Sequence, residues 1–126
     1  MAVASGFVEF VRDQLRAMGS PWGAVVARRM FGGQGLFRDG IMFGLLHDDT
    51  LYFRTDERNT PDYEAEGMTP FSYSRAGRVV ALGYHEVPGG VVDEADRLAA
   101  WAEKAYAAAL RRASVRAPVR GKAKRA

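Results

Sequence analysis

Between Val25 and Tyr84 side-chain character repeats with a period of two, and short polar sequences cut that run at three places: Arg38-Asp39-Gly40, His47-Asp48-Asp49-Thr50 and Arg75-Ala76-Gly77-Arg78. Apolar runs at strand spacing separated by such turn residues fold as antiparallel strands joined by hairpins. The strands this predicts are Val26 to Phe37 with a kink, Ile41 to Leu46, Leu51 to Arg54, Phe71 to Arg75 and Val79 to Tyr84. Between the third and fourth, Pro61 suits the first turn of a short helix that Gly67 can end.

On either side of this run the period becomes helical. Residues 5 to 18 place Phe7, Val11, Leu15 and Met18 on one face with Phe10 beside them, Ser5 at the N-cap and Gly19 at the stop. After Pro88-Gly89-Gly90 a longer helix is predicted over about residues 92 to 112. Asp93, Glu94 and Asp96 stand at its positive end and Arg111 and Arg112 at its negative end. The order is helix, three strands, short helix, two strands, helix: an α+β domain with helices packed on one antiparallel sheet. Residues 1 to 112 form that domain, and residues 113 to 126 read as a basic flexible tail.

A length of 126 residues supports one core and not two. Cysteine is absent and histidine occurs only at positions 47 and 85, so thiolate chemistry is excluded and imidazole chemistry is thin. No apolar run approaches the ~20 residues that span a bilayer, and no secretory leader is evident, so a cytoplasmic location is expected. The net charge of +3 hides an asymmetry. Seven of the eighteen bases lie in residues 111 to 126 with no acid, leaving eleven bases against fifteen acids, a net of −4, in residues 1 to 110.

The glycine-rich stretch RRMFGGQGLFRDG, residues 28 to 40, poses the main functional choice. A dinucleotide fingerprint requires a third glycine where Arg38 stands, and a helix where a hairpin follows; a phosphate loop of the Walker type is also absent. An enzyme or anion-binding protein would have to use the backbone here as a nest, aided by Arg28, Arg29 and Arg38. Glycines within a strand more simply mark a bulge or the close passage of another element. His47-Asp48-Asp49 reads as a polar hairpin tip rather than a metal site, and His85 as a hydrogen-bonded strand end. Ser72 and Ser74 alternate with aromatics and lack a nucleophile elbow.

The run Arg29-Met30-Phe31-Gly32-Gly33-Gln34-Gly35-Leu36-Phe37, followed by Asp39-Gly40-Ile41-Met42-Phe43-Gly44, resembles the signature of the TfoX/Sxy N-terminal domain family. The likeness continues through Leu51-Tyr52-Phe53-Arg54, Pro61 to Met68, Pro70-Phe71-Ser72-Tyr73, Tyr84, Val87-Pro88 and Trp101-Ala102, and covers about residues 5 to 112. The resemblance implies a two-layer α/β domain like that of secretion chaperones. It also implies regulation rather than catalysis: full-length bacterial members promote transcription of natural-competence genes with a cyclic-AMP-responsive activator, and carry a second, C-terminal helical domain. The chain is expected to be a stand-alone version of the N-terminal domain. Catalytic residues, cofactor and metal are all expected to be none.

Two surfaces are expected to act. Ile41 to Leu46 is apolar on both alternations, which places Met42 and Leu46, with Tyr52 on the next strand, on a sheet face that helices leave uncovered. With Met30 and the charges of Arg28 and Arg29 this face is expected to meet a protein partner, part of the transcription machinery or a second copy in a homodimer. Alternatively Arg116, Arg120, Lys122, Lys124 and Arg125 make a nucleic-acid accessory protein by counterion release.

Overall fold

The computed structural model describes residues 5–19, 22, 25–30, 32–75 and 78–116. The chain runs α1 (Ser5–Arg16), β1 (Val26–Met30), β2 (Gly33–Arg38), β3 (Ile41–His47), β4 (Thr50–Arg54), α2 (Thr60–Ala65), β5 (Pro70–Arg75), β6 (Arg78–Glu86), α3 (Gly89–Val92) and α4 (Ala95–Arg116). The six strands form one antiparallel sheet in the order β1-β2-β3-β4-β6-β5, so the α+β class read from the sequence holds.

Two hairpins form where the turn residues asked for them. Asp39 and Gly40 both take positive φ, 51° and 78°, and Asp48 and Asp49 do the same at 51° and 57°. Each pair is a two-residue loop between paired strand ends, Arg38 with Ile41 and His47 with Thr50, the arrangement whose twist suits a tight hairpin. The third expected turn, at Ala76-Gly77, lies outside the described residues, although Arg75 and Arg78 pair on either side of it.

The glycine-rich stretch departs from expectation. Instead of one kinked strand it makes a further hairpin, with Met30 paired to Gly33 and Val26 to Phe37, so four strands and not three precede α2. Gly32 supplies a φ of +76° at the reversal. Gly33 is needed for a different reason: a Cβ there would overlap the Leu46 carbonyl of β3.

Nearly all the core lies on one side of the sheet. Val8, Val11 and Leu15 of α1, Leu98, Ala102, Ala105 and Ala109 of α4, and Val91 and Val92 of α3 pack with Leu36, Phe43, Leu46, Leu51 and Phe53 of the strands. The buried stripe of α1 is therefore turned slightly from the predicted one, leaving Phe10 and Met18 over 40% exposed. Alanines on α4 let the helix axis approach the sheet closely. Trp22, Phe43 and Tyr106 stack between the layers, with ring centroids 5.3 Å apart for Trp22–Phe43 and 6.4 Å for Phe43–Tyr106. Arg38 threads its guanidinium between the rings of Trp22 and Tyr106, at 4.5 Å and 4.1 Å, and reaches Glu103 of α4 at 3.7 Å. The last helix also differs from its prediction: α3 and a break at Asp93 precede it, and it continues to Arg116, four residues into the segment read as tail.

The two kinds of glycine should separate in stability measurements. Gly33→Ala should destabilise by about 1–3 kcal/mol, since the obstacle is backbone rather than a mobile side chain. Gly6→Ala, in α1 with open space around it, should be neutral or gain up to about 0.8 kcal/mol. Urea denaturation of the two variants beside the parent measures both; equal effects would contradict this account of Gly33.

Candidate functional site

Strand β3 decides what the far side of the sheet carries. Its register against β2 shifts between Leu36, which faces Gly44, and Phe37, which faces Met42, so Phe43 is an extra residue without a partner. A bulge of this kind sends two consecutive side-chain positions to the same face. Phe43 and Gly44 both point to the helices, and the alternation resumes one residue out of step. Ile41, Phe43 and Leu46 join the helix-side core, while Met42 and Leu45 go to the opposite face.

That opposite face carries a second apolar cluster. Leu45, Phe71 and Tyr84 are buried there at 0%, 4% and 6% exposure, with Met42 and Tyr52 half-buried over them. Every member comes from a strand. Tyr52 meets Phe71 edge to face with centroids 4.7 Å apart, and His47 meets the same ring at 5.6 Å. Toward β1 the apolar surface continues through Met30 and Phe37, which with Met42 crowd the space above Gly35 so closely that a Cβ would force the Met30 side chain to shift. Arginines border it: the guanidinium of Arg28 lies 5.1 Å from the Phe37 ring centroid, and that of Arg54 lies 5.1 Å from the Tyr84 centroid. Burial raises the Tyr84 hydroxyl above the usual phenol range, and burial, with Glu86 and Asp48 adding to it, does the same for Tyr52.

The sequence-predicted surface is thus partly assembled. Arg28, Met30, Met42 and Tyr52 share the helix-free face. Leu46 does not: it is fully buried against the helices because the Phe43 bulge reverses the parity of β3 beyond it, and Leu45 takes its place. Arg29, paired with Gln34, alternates away from Arg28. Sequence reading missed Phe37, Leu45, Arg54, Phe71 and Tyr84. The doubly apolar pattern of β3 was the available signal for Leu45. The three arginines near the glycines do not converge, since Arg28 stacks on Phe37, Arg29 occupies the alternate position and Arg38 is inserted between the layers. Of the tail bases, Arg116 ends α4 and Arg120, Lys122, Lys124 and Arg125 lie outside the described residues.

His85 sits at the β6 end, on the helix side. Its Nδ1 is 2.8 Å from Thr55 Oγ1 and its ring lies against Tyr63 of α2, which burial raises far above the phenol range. Burial lowers the His85 pKa, with Glu64 opposing. This is the hydrogen-bonded strand end that the sequence suggested. No group of three or more His, Asp or Glu side chains is arranged to hold a metal ion among the described residues.

Comparison with known families gives one match: the sequence model of the TfoX N-terminal domain covers residues 17–109. No curated protein matches the chain.

The lowered His85 pKa fixes a pH dependence. The unfolded chain takes up a proton near pH 6.5, whereas the folded chain resists it until lower pH, so stability rises with pH through that window and is lost as pH falls below about 6.5. Thermal unfolding followed from pH 7.5 to pH 5.5 should show this decline, and His85→Gln should flatten it. An unchanged slope in that variant would assign the effect elsewhere.

Proposed function

We propose that this chain, which belongs to the TfoX N-terminal domain family, is a non-enzymatic interaction module that acts through the helix-free face of its sheet, with a second copy of itself as the first occupant. The observation supporting this reading is the all-strand cluster of Leu45, Phe71 and Tyr84, extended outward by half-exposed Met42 and Tyr52. Among the described residues no helix contributes to it. Removing such surface from water contributes roughly 25 cal/mol per Å² before the costs of association. Methionine and aromatic side chains with arginine at the border are also the composition favoured at interface centres.

The charges on this face favour a symmetric pairing. Arg28 stands on the β1 side of the cluster, and Glu86, paired with Tyr52, stands on the β6 side. A two-fold axis near Leu45 and Tyr52 would set Arg28 of one copy against Glu86 of the other, twice, as an isologous interface requires. Regulation of transcription, which the family resemblance implies, would then use the paired module or its exchange for a protein of the transcription machinery.

Sedimentation equilibrium over a range of concentrations tests this. The parent should self-associate, and Met30→Ser with Met42→Ser should weaken association by about tenfold, a loss of about 1.4 kcal/mol. Arg28→Glu and Glu86→Arg should each weaken it, and together restore part of it. A monomer at every concentration that also captures no protein from the native cell would overturn the proposal.

A further inference from the structure

On another side of the molecule the loop that follows β4 meets the flank of α4. Asn59, 2% exposed, ties this loop down: its Nδ2 donates to the Arg54 carbonyl at 2.9 Å and its Oδ1 accepts from the Asp56 amide at 2.8 Å. So held, Asp56 receives a two-point ion pair from Arg111, Nε to Oδ2 at 2.6 Å and Nη2 to Oδ1 at 3.0 Å. Arg111's hydrogen bond holds the Asp56 carboxyl below the usual carboxylate range. Above this bridge opens a cavity of about 490 Å³ lined by Arg54, Glu57, Arg58 and Arg112 besides the bridged pair. With the pair counted as neutral, three guanidinium groups face one carboxylate.

Two neighbouring hollows share its walls. One of about 330 Å³ uses Arg54 and Arg112 again, between otherwise apolar walls that include Phe37, Met42 and Tyr84, and one of about 200 Å³ uses Arg58 and Arg111 beside Lys104, whose charge is met by Asp62. Together they make an arginine-lined track across the flank of α4. Arg58 and Arg112 are exposed and have no carboxylate partner among the described residues.

We infer that this track binds the phosphodiester backbone of duplex nucleic acid. A single small anion would need one hollow; three contiguous hollows, each lined by arginine, fit a polyanion with regularly spaced charges. The main cavity contains no aromatic side chain, and the two rings that wall the hollow of about 330 Å³, Phe37 and Tyr84, are covered by the guanidinium groups of Arg28 and Arg54, so little ring face is left for unpaired bases to stack on, which favours a duplex over a single strand. Backbone contacts of this kind position a protein without reading sequence. The main cavity shares Arg54 alone with the sheet-face patch, so the inference does not require the sheet-face proposal.

Fluorescence anisotropy of a labelled random-sequence duplex, titrated with the full chain from 50 to 200 mM salt, tests it. The parent should bind with a steep salt dependence. Arg58→Glu with Arg112→Glu should weaken binding by about tenfold or more and lower the salt slope by about two, since two phosphate contacts are lost. Arg16→Glu with Arg97→Glu, the same change in net charge on other helix surfaces, should do much less, and Glu57→Gln should tighten binding. Met30→Ser should leave it unchanged, which separates this result from the sheet-face test. Equal loss in both charge-reversed pairs would overturn the inference. So would binding abolished by Lys122→Gln, Lys124→Gln and Arg125→Gln but indifferent to the groove pair. Preference for single strands, or binding only to inorganic phosphate or to vesicles of anionic lipid, would overturn it too.

Discussion

One extra residue in β3 organises the molecule. Without Phe43 standing unpaired opposite the Leu36–Phe37 step, strict alternation from Ile41 would put Leu45 under the helices and Leu46 on the far face. With it, Phe43 and Leu46 both enter the helix-side core, where Phe43 stacks with Trp22, Phe53 and Tyr106. Leu45 becomes the centre of the other cluster. A bulge interrupts the ladder at one point, but here it lets a single strand supply large apolar side chains to both faces. The interlayer aromatic stack and the helix-free patch are two consequences of the same insertion.

The local features were legible in the sequence because local chemistry determines them. Asp39-Gly40 and Asp48-Asp49 form tight hairpins since those residue types accept positive φ, and Pro61 opens α2 within its first turn. The features that were not legible depend on residues distant in the chain. Nothing within residues 28 to 40 announces that Gly33 must clear the Leu46 carbonyl, so the segment read as a kinked strand instead of a hairpin. Likewise the parity change at Phe43 is defined only by its register against β2, and Leu46 was assigned to the wrong face in consequence. The end of the last helix was missed for a different reason. Residues 113 to 116, ASVR, contain neither glycine nor proline to stop a helix already running, whereas the small and basic residues there, with Pro118 and Gly121 beyond and nothing to bury, read as tail.

Charge is distributed with the same division of labour. The mild acidity of the first 110 residues is largely spent locally, in pairs such as Glu9–Arg12, Asp13–Arg16 and Asp62–Lys104, which hold exposed surfaces together weakly. Asp56–Arg111 differs, because its two-point geometry and the buried Asn59 beneath it fix a loop to the side of α4. Consuming one arginine in that bridge leaves its neighbours Arg58 and Arg112 exposed on backbone that the bridge and Asn59 tie together. Charges carried on tethered backbone lose less chain freedom on meeting an anion than the same charges on a loose segment would.

The apolar face and the basic track meet at the hollow of about 330 Å³, where Phe37, Met42 and Tyr84 of the one stand beside Arg54 and Arg112 of the other. The guanidinium of Arg54 lies over the Tyr84 ring at the margin of the sheet-face cluster, and it also lines both larger hollows beside α4. Stacking on Tyr84 holds the Arg54 cation near an apolar boundary, which reduces its contact with water. A less hydrated guanidinium interacts more strongly with a nearby anion, since the attraction grows as the local dielectric falls.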